Sequence, residues 1–465
     1  MSVVDPSIFK ACDIRGVYGQ DLNQETARRI GVAVGTLSRS KLGIDAPSVV
    51  VGRDVRPSSA PLAEALVDGL MRAGCNVTDI GIVPTPAFYF AMDQLRADSG
   101  VMVTASHNPA QFNGFKLRIG AMPVTPEEVQ EVYRIAASEV PPRYPLPSGK
   151  LSHQDVLPAY EEHILALAPL RAPLSVAVDC SNGCYSELAP RILRQAGAAV
   201  DELFCTPDGT FPGHPPNPAV ADNLAPLCRR VRETGADIGI AFDGDGDRVA
   251  FVDSRGRPIP ADVTAVILIR RLLSGMPGAK VVYDLKCSMI VEEAVRQVGC
   301  VPLMERSGHA FIKTRMIREH AAFGAEISGH FFYERLSGGD DGLYSALVML
   351  DLVAKHGPLA DLVDAVTTYH ITPDIRIPAE GLDVPGVLRR LRDGASGQVS
   401  ELDGLRVSYP DGWALARQSV TEPVVTLRFE ARTAESLDDL IRRFLQPAPE
   451  LMERVAEALG RQRAV

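Results

Sequence analysis

Ser106 stands in Thr104-Ala105-Ser106-His107-Asn108-Pro109, directly after the apolar run Gly100-Val101-Met102-Val103. The run reads as a short buried strand, and Asn108-Pro109 forces a turn. A serine at the C-terminal end of such a strand lies where open α/β sheets place their ligand crevices. That position suits a nucleophile or a phosphate carrier, although an isolated S-H-N-P would read as a polar loop tip. A second stretch, Asp243-Gly244-Asp245-Gly246-Asp247-Arg248, follows the apolar run Ile238-Gly239-Ile240-Ala241-Phe242. Three carboxylates at alternate positions can converge on one hard cation, and oxygen-only ligation suits Mg²⁺. A solvated acidic turn seldom comes directly off a buried strand. An EF-hand fails on its own pattern, because Arg248 holds the sixth position and Ser254 the twelfth.

Cations and other polar groups recur at the ends of other apolar runs. Lys116 lies in Asn113-Gly114-Phe115-Lys116, and Lys286 in Asp284-Leu285-Lys286-Cys287. A lysine at the C-terminal end of a parallel strand points into the crevice more often than chance. Arg15 follows Asp13-Ile14, and Arg248 closes the acidic stretch. Guanidinium and ammonium groups stabilise a transferring phosphoryl group, which needs positioning more than covalent chemistry. His309 and His330 each follow a glycine after a strand-like run, where a histidine can move protons. Glu326 and Ser328 are expected to alternate along an extended segment and face the same way. A carboxylate beside a hydroxyl suits two adjacent sugar hydroxyls. Arg417-x-Ser419-x-Thr421 sets alternating donors before a proline and a strand, a pattern that makes a phosphate cradle.

A strand–loop–helix–glycine–strand unit recurs three times and must position these groups. The first copy runs from 48 to Asp54, with a helix over 61–73, a stop at Gly74 and a strand through Val77. The second runs from 174 to Asp179, with a helix near 185–195, a stop at Gly197 and a strand through Val200. The third runs from 280 to Asp284, with a helix near 289–297, a stop at Gly299 and a strand at Val301. Each copy is a βαβ unit. Three copies at long spacing predict three similar mixed α/β domains rather than a solenoid. After Thr367 the unit disappears. Alternating runs at 404–409 and 424–429, then helices near 434–444 and 450–459, predict an α+β module. A proline-rich joint at 141–149 and a turn at 253–258 mark two of the boundaries. The expected domains are 1–150 around the serine, 151–255 around the aspartates, 256–367 around Glu326 and Ser328, and 368–465 around Arg417.

A length of 465 residues fits about three or four domains. Apolar content of 46% allows packed cores, and 23% charged residues fit a globular chain. The net charge of −10, with no long basic run, argues against nucleic acid or an anionic membrane as partner. An anionic substrate therefore needs a locally basic pocket. Eight scattered cysteines, without paired metal-ligand spacing, read as free thiols of a reducing compartment. Residues 1–10 lack a hydrophobic signal core, and no apolar run approaches the ~20 residues of a membrane helix. A cytoplasmic monomer or weak homo-oligomer is expected.

These stretches, from Cys12-Asp13-Ile14-Arg15-Gly16 to Arg417-Gln418-Ser419-Val420-Thr421-Glu422-Pro423, resemble the phosphomannomutase/phosphoglucomutase branch of the α-D-phosphohexomutase superfamily. The resemblance covers essentially the whole chain. It implies four domains around a central cleft and reversible interconversion of hexose 1-phosphate and hexose 6-phosphate, with mannose and glucose as sugars. Ser106 would be carried as phosphoserine and would sit with Asp243, Asp245 and Asp247 at Mg²⁺. Lys116, Arg248, Lys286, His309 and His330 would surround the transfer. Arg15, His107, Glu326 and Ser328 would contact the sugar phosphate, and Arg417, Ser419 and Thr421 the phosphate that is not transferred. Glucose 1,6-bisphosphate would be both intermediate and activator. Three positions depart from the family pattern: Cys12 for an aromatic residue, Val420 for Asn, and Ala325 for Gly. A phosphoglucosamine mutase is the nearest alternative, and a non-catalytic sugar-phosphate-binding paralogue a more distant one. A phosphatase using Asp243 as nucleophile lacks its D-x-D-x-[TV] context and leaves the serine loop without a role.

Overall fold

The computed structural model describes residues 4–138, 149–167, 173–418 and 423–462. Three sheets share one plan. In the first, Ser48–Arg53 pairs in parallel with Asn76–Ile82 on one side and Ser99–Val103 on the other. In the second, Ser175–Asp179 pairs in parallel with Ala199–Leu203 and with Ile238–Phe242. In the third, Lys280–Asp284 pairs in parallel with Val301–Glu305 and with Phe323–Ala325. Each third parallel strand is then followed by an antiparallel return, Phe112–Ile119, Val249–Asp253 and Phe331–Tyr333 respectively. The inner parallel strands, such as Ser48–Arg53, Ser175–Asp179 and Lys280–Asp284, are near-continuous apolar runs because helices cover both faces, while Asn76–Ile82, Ala199–Leu203 and Val301–Glu305 keep polar, exposed positions. Ser99–Val103 and Ile238–Phe242 are buried at every position.

The expected helices form close to their predicted limits. They are Ser59–Arg72, Leu188–Gln195 and Met289–Gln297. The second starts three residues later than expected, after a turn at 184–187. The strand Leu151–His153 adds to the edge of the first sheet beside Asn76–Ile82, so that sheet reaches past residue 150. The fourth unit is antiparallel. Val424–Ala431 pairs with Gly412–Gln418 and with Ile375–Pro378, and helices Ala434–Leu445 and Pro449–Gln462 cover the sheet. The chain is therefore three mixed α/β units and one α+β unit.

One hydrophobic core runs from Phe88 and Met102 through Tyr185 and Phe242 to Phe323 and Leu347. Full burial of each such side chain is worth about 1.5–3 kcal/mol. The first three units are thereby packed into one body. The fourth has its own core around Leu427, Phe429 and Leu440. It meets the third through Leu285, Trp413 and Leu415. The cysteines are all free thiols. Among the described residues, no helix is long and apolar enough to cross a membrane.

Candidate active site

The serine loop leaves the buried strand Ser99–Val103 and turns sharply. Ser106 has φ +50°, a left-handed conformation that costs a non-glycine residue about 1–2 kcal/mol. Surrounding bonds hold it there. Ser106 N–H donates to Thr104 Oγ1 at 2.9 Å, and Asn108 N–H donates to the Ala105 carbonyl at 3.0 Å. The Arg56 guanidinium fills the inside of the loop. It donates to the carbonyls of Ser106 at 2.9 Å, Asn108 at 2.6 Å, Pro109 at 2.7 Å and Phe112 at 3.1 Å, and to Asp54 at 3.0 Å. Sequence reasoning missed Arg56. Its only signal was its place two residues beyond Asp54, at the end of the first strand of the unit.

The acidic loop leaves Ile238–Phe242 and meets the serine loop face to face. Ser106 Oγ donates to Asp243 Oδ2 at 2.7 Å. A Cβ on Gly244 would lie 2.6 Å from the Ser106 carbonyl oxygen, so only glycine allows this approach. Asp245 Oδ2 accepts from Thr85 at 2.7 Å, Thr104 at 3.2 Å and Lys116 at 2.7 Å. Lys116 also donates to Asp247 at 2.5 Å. Burial and the two neighbouring aspartates push Asp243 well above the usual carboxylate range. Asp245 is held below that range against burial, chiefly by Lys116. Burial alone would lower Lys116, but Asp245 and Asp247 keep it well above its ordinary value and therefore charged.

Ligand atoms of Asp243, Asp245 and Asp247 lie within 4.8 Å of one another. Asp245 Oδ1 and Asp247 Oδ1 are buried with no hydrogen-bond partner. Three hard carboxylates with two unpartnered oxygens fit a divalent cation of the Mg²⁺ kind.

Around this centre stand the other groups. Arg248 Nε donates to His330 Nε2 at 2.9 Å and lies 3.9 Å from Asp243 Oδ2. His330 Nδ1 faces Asp340 Oδ2 at 2.6 Å. Burial lowers the basicity of His330, but Asp247 and Asp340 carry it up to about 9. The Arg248 Nε–H aimed at Nε2 opposes a second proton, and that geometry fits a ring protonated at Nδ1 alone. His309 lies beside it, with ring centroids 6.0 Å apart. Burial, aided by Lys116, lowers His309 to about 3, and its Nε2 has no partner. His107 Nδ1 is 3.3 Å from Ser106 Oγ, and burial with Arg248 and Arg15 keeps that ring neutral. Arg15 donates to Asn108 at 2.9 Å and to Asp13 at 2.5 Å. Asp340, which holds His330, was also missed in the sequence, where it is one acidic residue in an unremarkable loop.

Glu326 and Ser328 do not lie on an extended segment. Residues 326–329 form a tight turn, closed by Gly329 N–H donating to the Glu326 carbonyl at 3.0 Å, between strands Phe323–Ala325 and Phe331–Tyr333. A turn through Ile327 and Ser328 does not alternate side chains as a pleated strand does, and Gly329, at φ +95°, carries the chain on out of it. Glu326 Oε2 and Ser328 Oγ are nevertheless both buried without a partner. Burial raises the Glu326 carboxyl above its ordinary value. Cys12 lies close by, and burial together with Asp13 pushes its thiol up to about 12.

Two expected residues are not in contact with this cluster. Lys286 donates to Asp374 at 2.5 Å, and Arg417 pairs with Asp403 at 2.5 Å, each satisfied by a carboxylate near the fourth unit. Ser419 and Thr421 lie outside the described residues, as does Val420.

Four family models match the chain in order. The phosphoglucomutase/phosphomannomutase α/β/α domains I, II and III match residues 6–142, 158–256 and 260–369, and the C-terminal domain matches 377–446. A phosphomannomutase/phosphoglucomutase of Pseudomonas putida is 41% identical, over 96% of this chain and 97% of its own length. A phosphoglucomutase of Neisseria gonorrhoeae is 36% identical, also over 96% and 97%. The crystal structure of a phosphoglucomutase/phosphomannomutase family protein from Burkholderia thailandensis superposes with a TM-score of 0.88 at 38% identity, covering 96% of this chain and 99% of that one. With all four domains in order and relatives of this identity along almost its whole length, the chain belongs to the phosphoglucomutase/phosphomannomutase family.

Proposed function

We propose that the chain interconverts hexose 1-phosphate and hexose 6-phosphate, with mannose and glucose as the sugars, through a phosphoserine at Ser106. The observation that carries this reading is the Ser106 hydroxyl, fixed in a left-handed turn 2.7 Å from Asp243 at the edge of the acidic cluster. In the forward direction the phosphoryl group passes from Ser106 Oγ to the free sugar hydroxyl, giving a hexose 1,6-bisphosphate. The bisphosphate then returns its other phosphoryl group to Ser106. Mg²⁺ held on Asp243, Asp245 and Asp247, beside the Ser106 oxygen, would supply positive charge to the phosphoryl oxygens.

The chain's own residues do the rest. Lys116 stays charged and fixes Asp245 and Asp247. Arg248 brings a guanidinium to the same edge and is oriented by His330. His309 offers its open Nε2, held neutral by burial, to a sugar hydroxyl. Arg15 and His107 border the phosphate beside Ser106. Glu326 and Ser328 present two unpartnered oxygens to sugar hydroxyls. The loop of Arg417, Ser419 and Thr421 is assigned to the phosphate that is not transferred, while Lys286, which the resemblance assigns to the transfer, lies apart from the cluster on Asp374. Glucose 1,6-bisphosphate, as the species able to rephosphorylate a dephospho-serine, acts as activator.

Intact mass with and without glucose 1,6-bisphosphate tests this directly. One phosphoryl group should appear on a peptide within residues 100–116, and Ser106→Ala should lose both the adduct and most turnover. An alanine variant with near-wild-type kcat refutes the reading. The two-sugar name of the Pseudomonas relative supports a broad substrate range. Glu326 and Ser328 would hold the hydroxyls at C3 and C4, which glucose and mannose share, leaving C2 largely unread. Large discrimination needs buried polar groups left unpaired by the wrong substrate. The kcat/KM values for glucose 1-phosphate and mannose 1-phosphate should therefore agree within about a hundredfold. Glu326→Ala should lower both, and a loss on one sugar alone would place a C2 reader elsewhere.

A further inference from the structure

The three α/β units repeat one side-chain arrangement where the first strand of the βαβ copy ends. Asp54 follows Ser48–Arg53, Asp179 ends Ser175–Asp179 and Asp284 ends Lys280–Asp284. All three carboxylates are buried. Oδ1 of each accepts the backbone N–H two residues on, from Arg56 at 3.0 Å, Ser181 at 2.8 Å and Lys286 at 2.9 Å. The second oxygens differ. Asp54 Oδ2 accepts from Arg56 Nε at 3.0 Å, and Asp179 Oδ2 faces His214 Nε2 at 3.0 Å. Asp284 Oδ2 is buried with no hydrogen-bond partner among the described residues, which is costly for a carboxylate. Lys286 stands two residues past Asp284, as Arg56 stands past Asp54, yet its ammonium is turned onto Asp374 Oδ2 at 2.5 Å. Asp374 belongs to the fourth unit, between strands His370–Ile371 and Ile375–Pro378, which both pair with Val424–Ala431. Its other oxygen accepts from Arg428 at 3.2 Å. Asp284 instead lies on the cleft side. It holds Ser307 Oγ at 2.6 Å, two residues before His309, and is within electrostatic reach of Glu326.

We propose that Asp374 and Asp284 are positioning residues for Lys286, which exchanges between them. Asp374 withholds the ammonium from the cleft in the free chain, and Asp284 Oδ2 seats it there when a hexose phosphate binds. The first unit shows the second seat already filled, since Arg56 reaches Oδ2 of the equivalent aspartate from the same backbone turn. The flexible lysine stem can make the same return. Asp374 gives Lys286 and Arg428 one carboxylate oxygen each, so it occupies both cations as an anionic ligand would. A ligand phosphate favours the seat that brings the ammonium nearer to it. Its observed affinity is then reduced by the fraction of chains in which Lys286 has left Asp374. The exchange during turnover rests on the mutase reading; the two seats do not.

Asp374→Asn and Asp284→Asn test this in the full chain. Asparagine keeps the Oδ1 acceptor that each aspartate gives its other partners and removes the charge from the seat of Lys286. A crystal structure of Asp374→Asn without ligand should show Lys286 Nζ on Asp284 Oδ2. In steady-state assays on glucose 1-phosphate, Asp374→Asn should lower KM by about threefold or more, because the competing seat is gone. Asp284→Asn should raise KM by about tenfold or more, as Lys286→Met should. Adding Asp374→Asn to Lys286→Met should give no further change, since the two act through one contact. Both asparagine variants should melt within a few degrees of the wild type. A role in folding alone would move the melts and would not drive KM in opposite directions. The proposal is overturned if the two variants shift KM the same way, or if the Asp374→Asn effect survives in Lys286→Met. A variant structure in which Nζ turns to solvent would overturn it as well. A wild type with no turnover and no phosphoserine would overturn the mutase reading and the exchange during turnover, and the Asp374→Asn structure would still decide the two seats.

Discussion

Lys116 bridges two buried carboxylates and is itself 3% exposed, so the local charge balance depends on it. Removing one partner of a buried ionic group costs about 3–5 kcal/mol, because the remaining charges are left uncompensated. Lys116→Met should therefore lower the thermal midpoint by several degrees in EDTA. Mg²⁺ should recover much of the loss, since a cation on the aspartates relieves the same repulsion. The check is a pair of melts of the variant, with EDTA and with Mg²⁺, beside the wild type. A variant as stable as the wild type in EDTA would show that Lys116 does not balance the cluster. Ser106, Lys116 and the three aspartates were legible in the sequence because their chemistry is local. Ser106 and the aspartates sit just past the end of a parallel strand, in stretches whose composition has few other uses, whereas Lys116 lies inside the antiparallel return Phe112–Ile119 and not at the parallel-strand end that its sequence context suggested. Arg56 and Asp340 were not legible. Arg56 acts on carbonyls about fifty residues away, and Asp340 on a histidine in the preceding hairpin. No short pattern encodes such contacts.

At the scale of elements, the three units place their working loops at one equivalent position. In each, the third parallel strand leads through a loop to an antiparallel return. That loop carries Ser106 in the first unit, Asp243 to Arg248 in the second, and Glu326, Ser328 and His330 in the third. Backbone bonds tie two of these loops to neighbouring elements, the helix Thr85–Gln94 and the strand Val249–Asp253. Thr85 N–H donates to the Asp245 carbonyl at 2.8 Å, and Val249 N–H donates to the Gly329 carbonyl at 3.1 Å. The βαβ copies were readable from apolar runs and glycine stops. The shared hairpin was not, because its returns are short and the turn at 326–329 imitates a two-residue alternation. Gly244 tests how tightly two of these loops must approach. The Cβ of Gly244→Ala would lie 2.6 Å from the Ser106 carbonyl oxygen, against backbone rather than a yielding side chain. The loops must separate, and misplacement of reacting groups by about 1 Å can cost about a hundredfold in rate. Gly244→Ala should fall in kcat by roughly that factor while its melting midpoint moves by only a few degrees. A variant with wild-type kcat would mean that the approach of the loops is not needed for transfer.

For the whole molecule, the question is what keeps units that are far apart in sequence in register around the cleft. The apolar core does most of this, but one polar knot lies at its centre. Asp341, 2% exposed in the third unit, accepts from Tyr160 on the helix Leu157–Leu167 at 2.7 Å. It also accepts from Tyr185 of the second unit at 3.0 Å. Sequence reading supplied the units but not this knot, since two tyrosines and an aspartate spread over 181 residues carry no common signal. Burial raises the Asp341 carboxyl from 3.8 to about 6, despite the bonds from Tyr344 N–H and the two tyrosines. The folded chain therefore holds this proton more tightly than the unfolded chain does. The contribution to stability is fully present below about pH 4 and is lost as the pH rises through about 6. At about 1.4 kcal/mol per unit, the loss is on the order of 2–3 kcal/mol by neutral pH. Asp341→Asn keeps the shape of the protonated carboxyl and cannot ionise, so it should escape the loss. The variant should gain on the wild type as the pH is raised from 4.5 to 7.5, most of the gain falling below pH 6.5. Urea midpoints of both proteins across that range, followed by Tyr and Trp fluorescence, measure it. Curves that stay parallel would show that Asp341 is already ionised at low pH within the knot, and a variant that loses ground as the pH rises would show that the knot favours the charged form.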